Sequence, residues 1–156
     1  MKVRQIASEK DRVDSLFGLL IEESSKVDMK AASAFGQFMA VQSGGFVERT
    51  VQLTMFDYAK TRSNHQISSF VLKRAEYLNS LNCKKIEQFL EPFDNTWWQE
   101  IAAICGPTIL QSIDSLKNVR DDVAHGKHNG TGINTIKDYF DHAVVFSREF
   151  QKTILE

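Results

Sequence analysis

Residues 117–126 read Lys-Asn-Val-Arg-Asp-Asp-Val-Ala-His-Gly, and this stretch decides how the rest of the chain is interpreted. Projected as a helix at about 100° per residue, Leu116 and Val123 fall on an apolar stripe. Arg120 falls between Leu116 and Ala124, at the border of that stripe. A guanidinium at the edge of a buried face is costly unless it is paired or lies in a polar groove, so Arg120 needs a partner or a ligand.

The face next to the stripe is polar and ends in a histidine. Asp121 and His125 are four residues apart and share this face with Asn118. Histidine takes up and releases a proton near neutral pH, so His125 is a candidate proton carrier. Gly126 is a natural stop for a helix. The pattern therefore predicts a helix from about Pro107 to His125, with an arginine and a histidine near its C-terminal end.

The spacing Arg120-x4-His125, with the polar Asp121 after the arginine and an Ala-His-Gly end, resembles the signature of HEPN domains. The closest resemblance is to the RiboL-PSP or MAE-type branch, whose motif often reads Arg-Asn-x-x-Ala-His-Gly; here Asp121 replaces the Asn. The resemblance implies a small all-α protein and a metal-independent endoribonuclease, with Arg120 and His125 as catalytic residues. It also implies a homodimer whose two motifs line one cleft, and products ending in a 2′,3′-cyclic phosphate and a 5′-hydroxyl.

Each motif residue also has a structural interpretation. Arg120 can form a buried salt bridge to the long second helix, with Glu48 as the candidate partner, and the same carboxylate can orient an arginine that contacts phosphate. Without the resemblance, His125 is a helix-end histidine favoured by the helix dipole. Asp121 either orients His125 or is a solvated charge. Asn118 is a candidate contact to RNA or to the partner protomer.

Weaker candidates for phosphate contacts surround the motif: Lys117 on the helix, and Lys127 and His128 in an exposed loop after it. His125 and His128 do not have the pattern of a metal site, because Gly126 separates them and no carboxylate follows at ligand spacing. We expect neither a metal nor a cofactor. We interpret Trp97 and Trp98 as packing residues. His65 is interpreted as the start of a helix and His142 as a surface residue.

Composition limits the class of protein. With 156 residues, 42% of them hydrophobic, the chain predicts a single domain spanning 1–156. A charged fraction of 25% and a net charge of -1 exclude a broad basic surface, so any RNA contact is local. The two cysteines, Cys83 and Cys105, lack metal-binding spacing and are expected to be buried free thiols. The absence of a signal-peptide core or a long apolar run predicts a cytoplasmic protein without membrane contact.

Apolar residues recur at helical spacing, so the predicted fold is an all-α, up-and-down, HEPN-like bundle of six or seven helices. The first helix is predicted to start near Ser8 and end near Ser24, and the second to span about residues 28–58, with Gly44 and Gly45 marking a kink or a close helix approach. A loop at residues 61–64 precedes the third. The predicted later boundaries are a cap at Asn82, a stop at Pro92, a capping box at Thr96 and Gln99, an end at Gly106 and Pro107, and a last helix over about residues 134–155.

Three functions follow. The first is a HEPN-type endoribonuclease acting on RNA as a homodimer; family resemblance alone adds a toxin-like or defence role and an antitoxin or defence-system partner. The second is a non-catalytic HEPN module that holds partners together or senses a nucleotide. The third is a helical interaction domain in which the motif occurs by chance.

Overall fold

The computed structural model describes residues 3–156, which form six helices and no strand. The helices are α1 Arg4–Ser24, α2 Met29–Arg62, α3 His65–Glu76, α4 Cys83–Leu90, α5 Trp97–Ala124 and α6 Ile133–Leu155. The predicted all-α bundle of six or seven helices is therefore confirmed, with six. Across the described part of the chain, no helix is long and apolar enough to cross a membrane.

The longest helix, α2, lies at the centre of the bundle. It packs against α1, α3, α5 and α6, while α5 also packs on α6 and α4 packs on α5. Aromatic rings join these layers: Phe140 of α6 lies 5.4 Å from Phe17 of α1 and 5.2 Å from Phe46 of α2, measured between ring centroids. Burying a phenylalanine side chain stabilises a fold by about 1.5–3 kcal/mol, so this cluster anchors three helices to each other.

Side-chain caps start three of the helices. Asp28, Asn64 and Asn82 precede α2, α3 and α4, and each side chain accepts the backbone N–H three residues further on. The predicted cap at Asn82 is therefore confirmed. Caps of this kind stabilise a helix by about 1 kcal/mol because they satisfy a backbone donor that has no partner inside the helix.

Three other predicted boundaries are wrong. The first helix starts at Arg4 and not near Ser8, and Ile6 in its first turn is fully buried in the core. The expected loop at residues 61–64 is shorter, because α2 continues to Arg62. The capping box at Thr96 is not formed, since its hydroxyl and its N–H both donate to Asp94, at 2.6 and 2.8 Å.

Gly106 and Pro107 divide α5 into two helical segments that meet at a kink, so the predicted break at this pair is present. Gly106 has φ 78° and ψ 170°, a conformation that residues with a Cβ rarely adopt. Pro107 then starts the second segment, where a proline is tolerated because the first N–H groups of a helix have no intrahelical partner. The motif thus lies on a segment that begins anew at Pro107.

The cysteines and tryptophans are packing residues. Both thiols are free; Cys105 is buried and Cys83 is half-buried. Burial raises the pKa of Cys105 to about 11, so it stays protonated at neutral pH. Trp97 packs edge-on against Tyr58, with ring centroids 5.0 Å apart, and Trp98 lies against the buried Phe146.

The remaining histidines are only partly as expected. His65 is the first residue of α3, as predicted. His142 is not a simple surface residue, because it is half-buried and its Nδ1 shares a 2.7 Å hydrogen bond with the hydroxyl of Ser112. This contact joins α6 to α5.

Candidate functional site

Arg120 lies on the side of α5 that faces α2. Its Nη1 forms an ion pair with Oε1 of Glu48, near the middle of α2, so the partner predicted for this arginine is present. The Glu48 side chain is 14% exposed and that of Arg120 is 24% exposed. The pair is therefore largely removed from solvent, while the guanidinium keeps some accessible surface through which it can contact a ligand.

Gly44 provides the space in which the arginine lies. A Cβ placed on Gly44 would be 3.2 Å from Cδ of Arg120, closer than ordinary van der Waals contact, whereas a Cβ on Gly45 would meet no atom within 4 Å. Of the two predicted roles for this glycine pair, a close approach applies to Gly44, and the helix continues through both residues. Gly44 lies one turn before Glu48, so one face of α2 supplies both the partner and the space for Arg120.

Asp121 turns away from α2 towards the connection between α3 and α4. It accepts a hydrogen bond from the Ser80 hydroxyl and forms a 2.5 Å ion pair with Lys117 Nζ. Hydrogen bonds from Lys117 and Ser80 hold the pKa of Asp121 below its usual value. The hydrogen bonds and ion pairs of the Asp121 carboxylate are thus with Ser80 and Lys117, whereas its backbone carbonyl accepts the N–H of His125 at 3.0 Å.

Ser80 is a residue of this site that the sequence pattern did not identify. Its backbone N–H donates to Oε1 of Glu48 at 2.6 Å, and its hydroxyl donates to Asp121. It connects the two acidic side chains and therefore links α2 to α5. The available signal was weak: Ser80 lies in a short polar connection, and no sequence spacing relates it to Glu48, 32 positions earlier, or to Asp121, 41 positions later.

His125 occupies the C-cap position at the end of α5 and is exposed. The N–H of Gly126 donates to the backbone carbonyl of Val123 at 3.1 Å, and the N–H of Lys127 donates to the backbone carbonyl of Asp122 at 2.8 Å. Together with φ 67° at Gly126, these bonds form a Schellman motif. The predicted helix stop at Gly126 is thus confirmed. Within residues 3–156, the imidazole of this exposed histidine has no hydrogen-bond partner.

Arg120 and His125 leave α5 in different directions. Five residues correspond to about 7.5 Å along a helix and about 140° around it. The arginine points to α2 and the histidine to solvent beyond the end of the helix. Within one chain, the two motif side chains therefore do not face each other.

The weaker candidates occupy separate places. Lys117 is paired with Asp121, whereas Asn118 and Lys127 are exposed. His128 lines a groove of about 960 Å³ between the start of α2 and the start of α6, together with Lys30. The structure thus brings Arg120, Glu48, Asp121 and Lys117 together around Ser80, places His125 one turn beyond them, and leaves His128 in a different groove. Among the described residues, no cluster of three His, Cys, Asp or Glu side chains has the arrangement of a metal site.

The fold and the sequence comparison identify the class of protein. An all-α bundle of this kind is the architecture of HEPN domains. The RiboL-PSP-HEPN family model matches residues 44–156, and the chain therefore belongs to this family. The match begins at Gly44 and includes Glu48, Ser80 and the whole of α5. Comparisons with curated proteins and with solved structures found no match. HEPN domains commonly bind RNA and dimerise.

Proposed function

We propose that the protein is a metal-independent endoribonuclease that works as a homodimer. The observation that carries this proposal is the state of the two motif residues in a HEPN-family chain: Arg120 is held by Glu48 but partly accessible, and the exposed His125 imidazole lacks an intramolecular partner. The exposed imidazole of His125 and the partly exposed guanidinium of Arg120 are both accessible to a phosphodiester.

The chemistry assigns a role to each side chain. Cleavage by the ribose 2′-hydroxyl needs a base to remove its proton, an acid to protonate the departing 5′-oxygen, and positive charge near the phosphorane oxygens. His125 supplies proton transfer. Arg120 supplies a forked donor matched to phosphate oxygens, and Glu48 orients it. The products are a 2′,3′-cyclic phosphate and a 5′-hydroxyl.

Two protomers supply what one lacks. A single chain offers one motif histidine, His125, while base and acid must act on opposite sides of the phosphate. A symmetric pair of α5 helices provides two histidines and two arginines in one cleft. In this proposal the exposed side chains of Asn118 and Lys127 contact RNA or the partner protomer. In this proposal the ribonuclease is a toxin or defence effector, restrained by a partner protein.

The activity itself is the first prediction. The purified protein is expected to cleave a labelled single-stranded RNA in excess EDTA, because no step needs a metal, and the 5′ fragment should carry a 2′,3′-cyclic phosphate. Mass spectrometry of the fragments identifies this end group, and light scattering measures the molar mass and hence the oligomeric state of the protein. Inhibition of all cleavage by EDTA, or a monomer at micromolar concentration that still cleaves, would contradict the proposed mechanism.

A second candidate function rests on the ion pair. Arg120 already has a carboxylate partner. In this alternative, the ion pair has the structural role of joining α2 to α5, and the protein is a non-catalytic module that holds partners together or senses a nucleotide. This function predicts a folded dimer that binds RNA or nucleotide without cleaving it. The EDTA assay separates the two.

The glycine pair of α2 offers a matched test of the space around Arg120. Gly45→Ala is expected to raise the free energy of unfolding by about 0.5–1 kcal/mol, because alanine is the better helix former and the added methyl meets open space. Gly44→Ala should gain less or lose stability and should lower RNA cleavage by about 10-fold, since Arg120 must move. Urea denaturation and the cleavage rate measure both effects; equal behaviour of the two variants would contradict the role assigned to Gly44.

A further inference from the structure

Ser80 has an unusual backbone conformation. In the part of the chain that the structure describes, it is the one residue other than glycine with positive φ, at 51°. A residue with a Cβ is disfavoured in this left-handed region, and such a conformation persists only where surrounding interactions hold it. Ser80 lies in the connection between α3 and α4, so no helix imposes the conformation.

Three polar groups of Ser80 are engaged. Its N–H donates to Glu48 Oε1 at 2.6 Å, its hydroxyl donates to Asp121, and its carbonyl accepts a 3.3 Å hydrogen bond from Lys85. The first two acceptors lie on different helices, α2 and α5. The left-handed conformation lets one residue direct its N–H and its hydroxyl to these two carboxylates.

The position of Glu48 depends on this connection. One carboxylate oxygen, Oε1, accepts from both Ser80 and Arg120. The Ser80 N–H therefore fixes the oxygen against which the guanidinium is held. Asp121 directly follows Arg120 in the chain. The hydrogen bond from the Ser80 hydroxyl to Asp121 therefore holds the same turn of α5 that carries Arg120.

We infer that Ser80 is a positioning residue for the ribonuclease site, setting Glu48 and Asp121 so that the guanidinium of Arg120 meets the phosphate. The inference rests on the proposed function. Ser80 does not contact the substrate. It acts through the two carboxylates, and its effect is expected on the chemical step more than on RNA affinity, because misplacing a catalytic group by about 1 Å costs up to about 100-fold in rate.

The closing experiment removes the hydroxyl without opposing the backbone. Ser80→Gly keeps the N–H and favours positive φ, so lost hydrogen bonding and relieved strain oppose each other, and the melting temperature should change by less than about 4 °C. The rate kcat for RNA cleavage should fall about 10-fold with KM changed less than about 2-fold. Ser80→Ala, which retains the Cβ, should lose kcat similarly. Ser25→Gly, in the connection after α1, is the control for loss of a serine hydroxyl outside the site and should leave kcat and KM as in the parent.

Two measurements separate positioning from a merely structural role. In a double-mutant cycle, Ser80→Gly should have little further effect on kcat in an Asp121→Ala background, because both changes break the same bond. Nitrogen-15 NMR relaxation measures the mobility of the Arg120 Nε–H group, whose signal is assigned by its loss in Arg120→Lys. This group should be more mobile in Ser80→Gly than in the parent. Additive effects on kcat, or a lowered melting temperature with unchanged kcat, would overturn the inference.

The outcomes also separate this inference from the proposed function. If the parent cleaves RNA and Ser80→Gly cleaves equally well, the role of Ser80 is wrong and the ribonuclease proposal stands. If the parent fails to cleave, the proposed function is wrong, and the NMR measurement alone decides whether Ser80 holds the arginine. An unchanged Arg120 signal then overturns the inference as well.

Discussion

Replacing His125 by alanine is expected to reduce RNA cleavage by about 10²–10⁴-fold while the protein stays folded, because the substitution removes the proton-transfer group. The residue is exposed and its imidazole lacks a hydrogen-bond partner among residues 3–156, so its loss breaks no side-chain hydrogen bond of the fold. Stability should therefore be nearly unchanged, and a large loss of rate cannot be attributed to unfolding. Initial cleavage rates in EDTA and circular dichroism measure the two properties.

His65→Ala is the matched control. His65 is also an exposed histidine at a helix end, the first residue of α3, and has no place in the site. This variant should cleave RNA like the parent. If His125→Ala retained parental activity, or if both variants lost it equally, His125 would not be the proton carrier.

The second large effect is expected at Arg120. Arg120→Lys keeps a positive charge opposite Glu48 but loses the planar fork that binds two phosphate oxygens, and cleavage should fall by about 10²–10³-fold. Arg120→Ala leaves the largely buried Glu48 carboxylate without its cation and should lower the free energy of unfolding by about 1–3 kcal/mol. Arg120→Lys should lower it by less. Cleavage rates and urea denaturation measure these effects.

Arg148→Lys supplies the control for Arg120. Arg148 is an exposed arginine on α6, so the same chemical change there should alter neither cleavage nor stability. A lysine at position 120 that supports parental cleavage would show that charge alone suffices and that the forked contact to phosphate is not used.

The features that were predictable from sequence are local ones or follow helical periodicity. The cap at Asn82 and the stop at Gly126 each depend on a few neighbouring residues. The pairing of Arg120 with Glu48 was also accessible, because both side chains interrupt apolar faces, and two such interruptions in one bundle are most cheaply satisfied by each other.

The features that were missed depend on tertiary contacts. Ser80 acquires its role only when the connection between α3 and α4 is placed against α2 and α5. The start of α1 was misplaced because burial of Ile6 extends the helix beyond the residues with capping character. At Thr96, the hydroxyl donates to Asp94, two residues earlier, and does not form the helix cap that the sequence pattern predicts.

The Schellman motif after α5 has a consequence for how such sites diversify. The bonds that end the helix lie within residues 121–127, so the orientation of His125 is encoded by its immediate neighbours. The loop that follows is then free to change in length or sequence with little effect on the histidine backbone. If the proposed function holds, an insertion after Lys127 would add a recognition loop beside His125 while leaving the Schellman motif in place, so the choice of substrate could change without moving the histidine backbone.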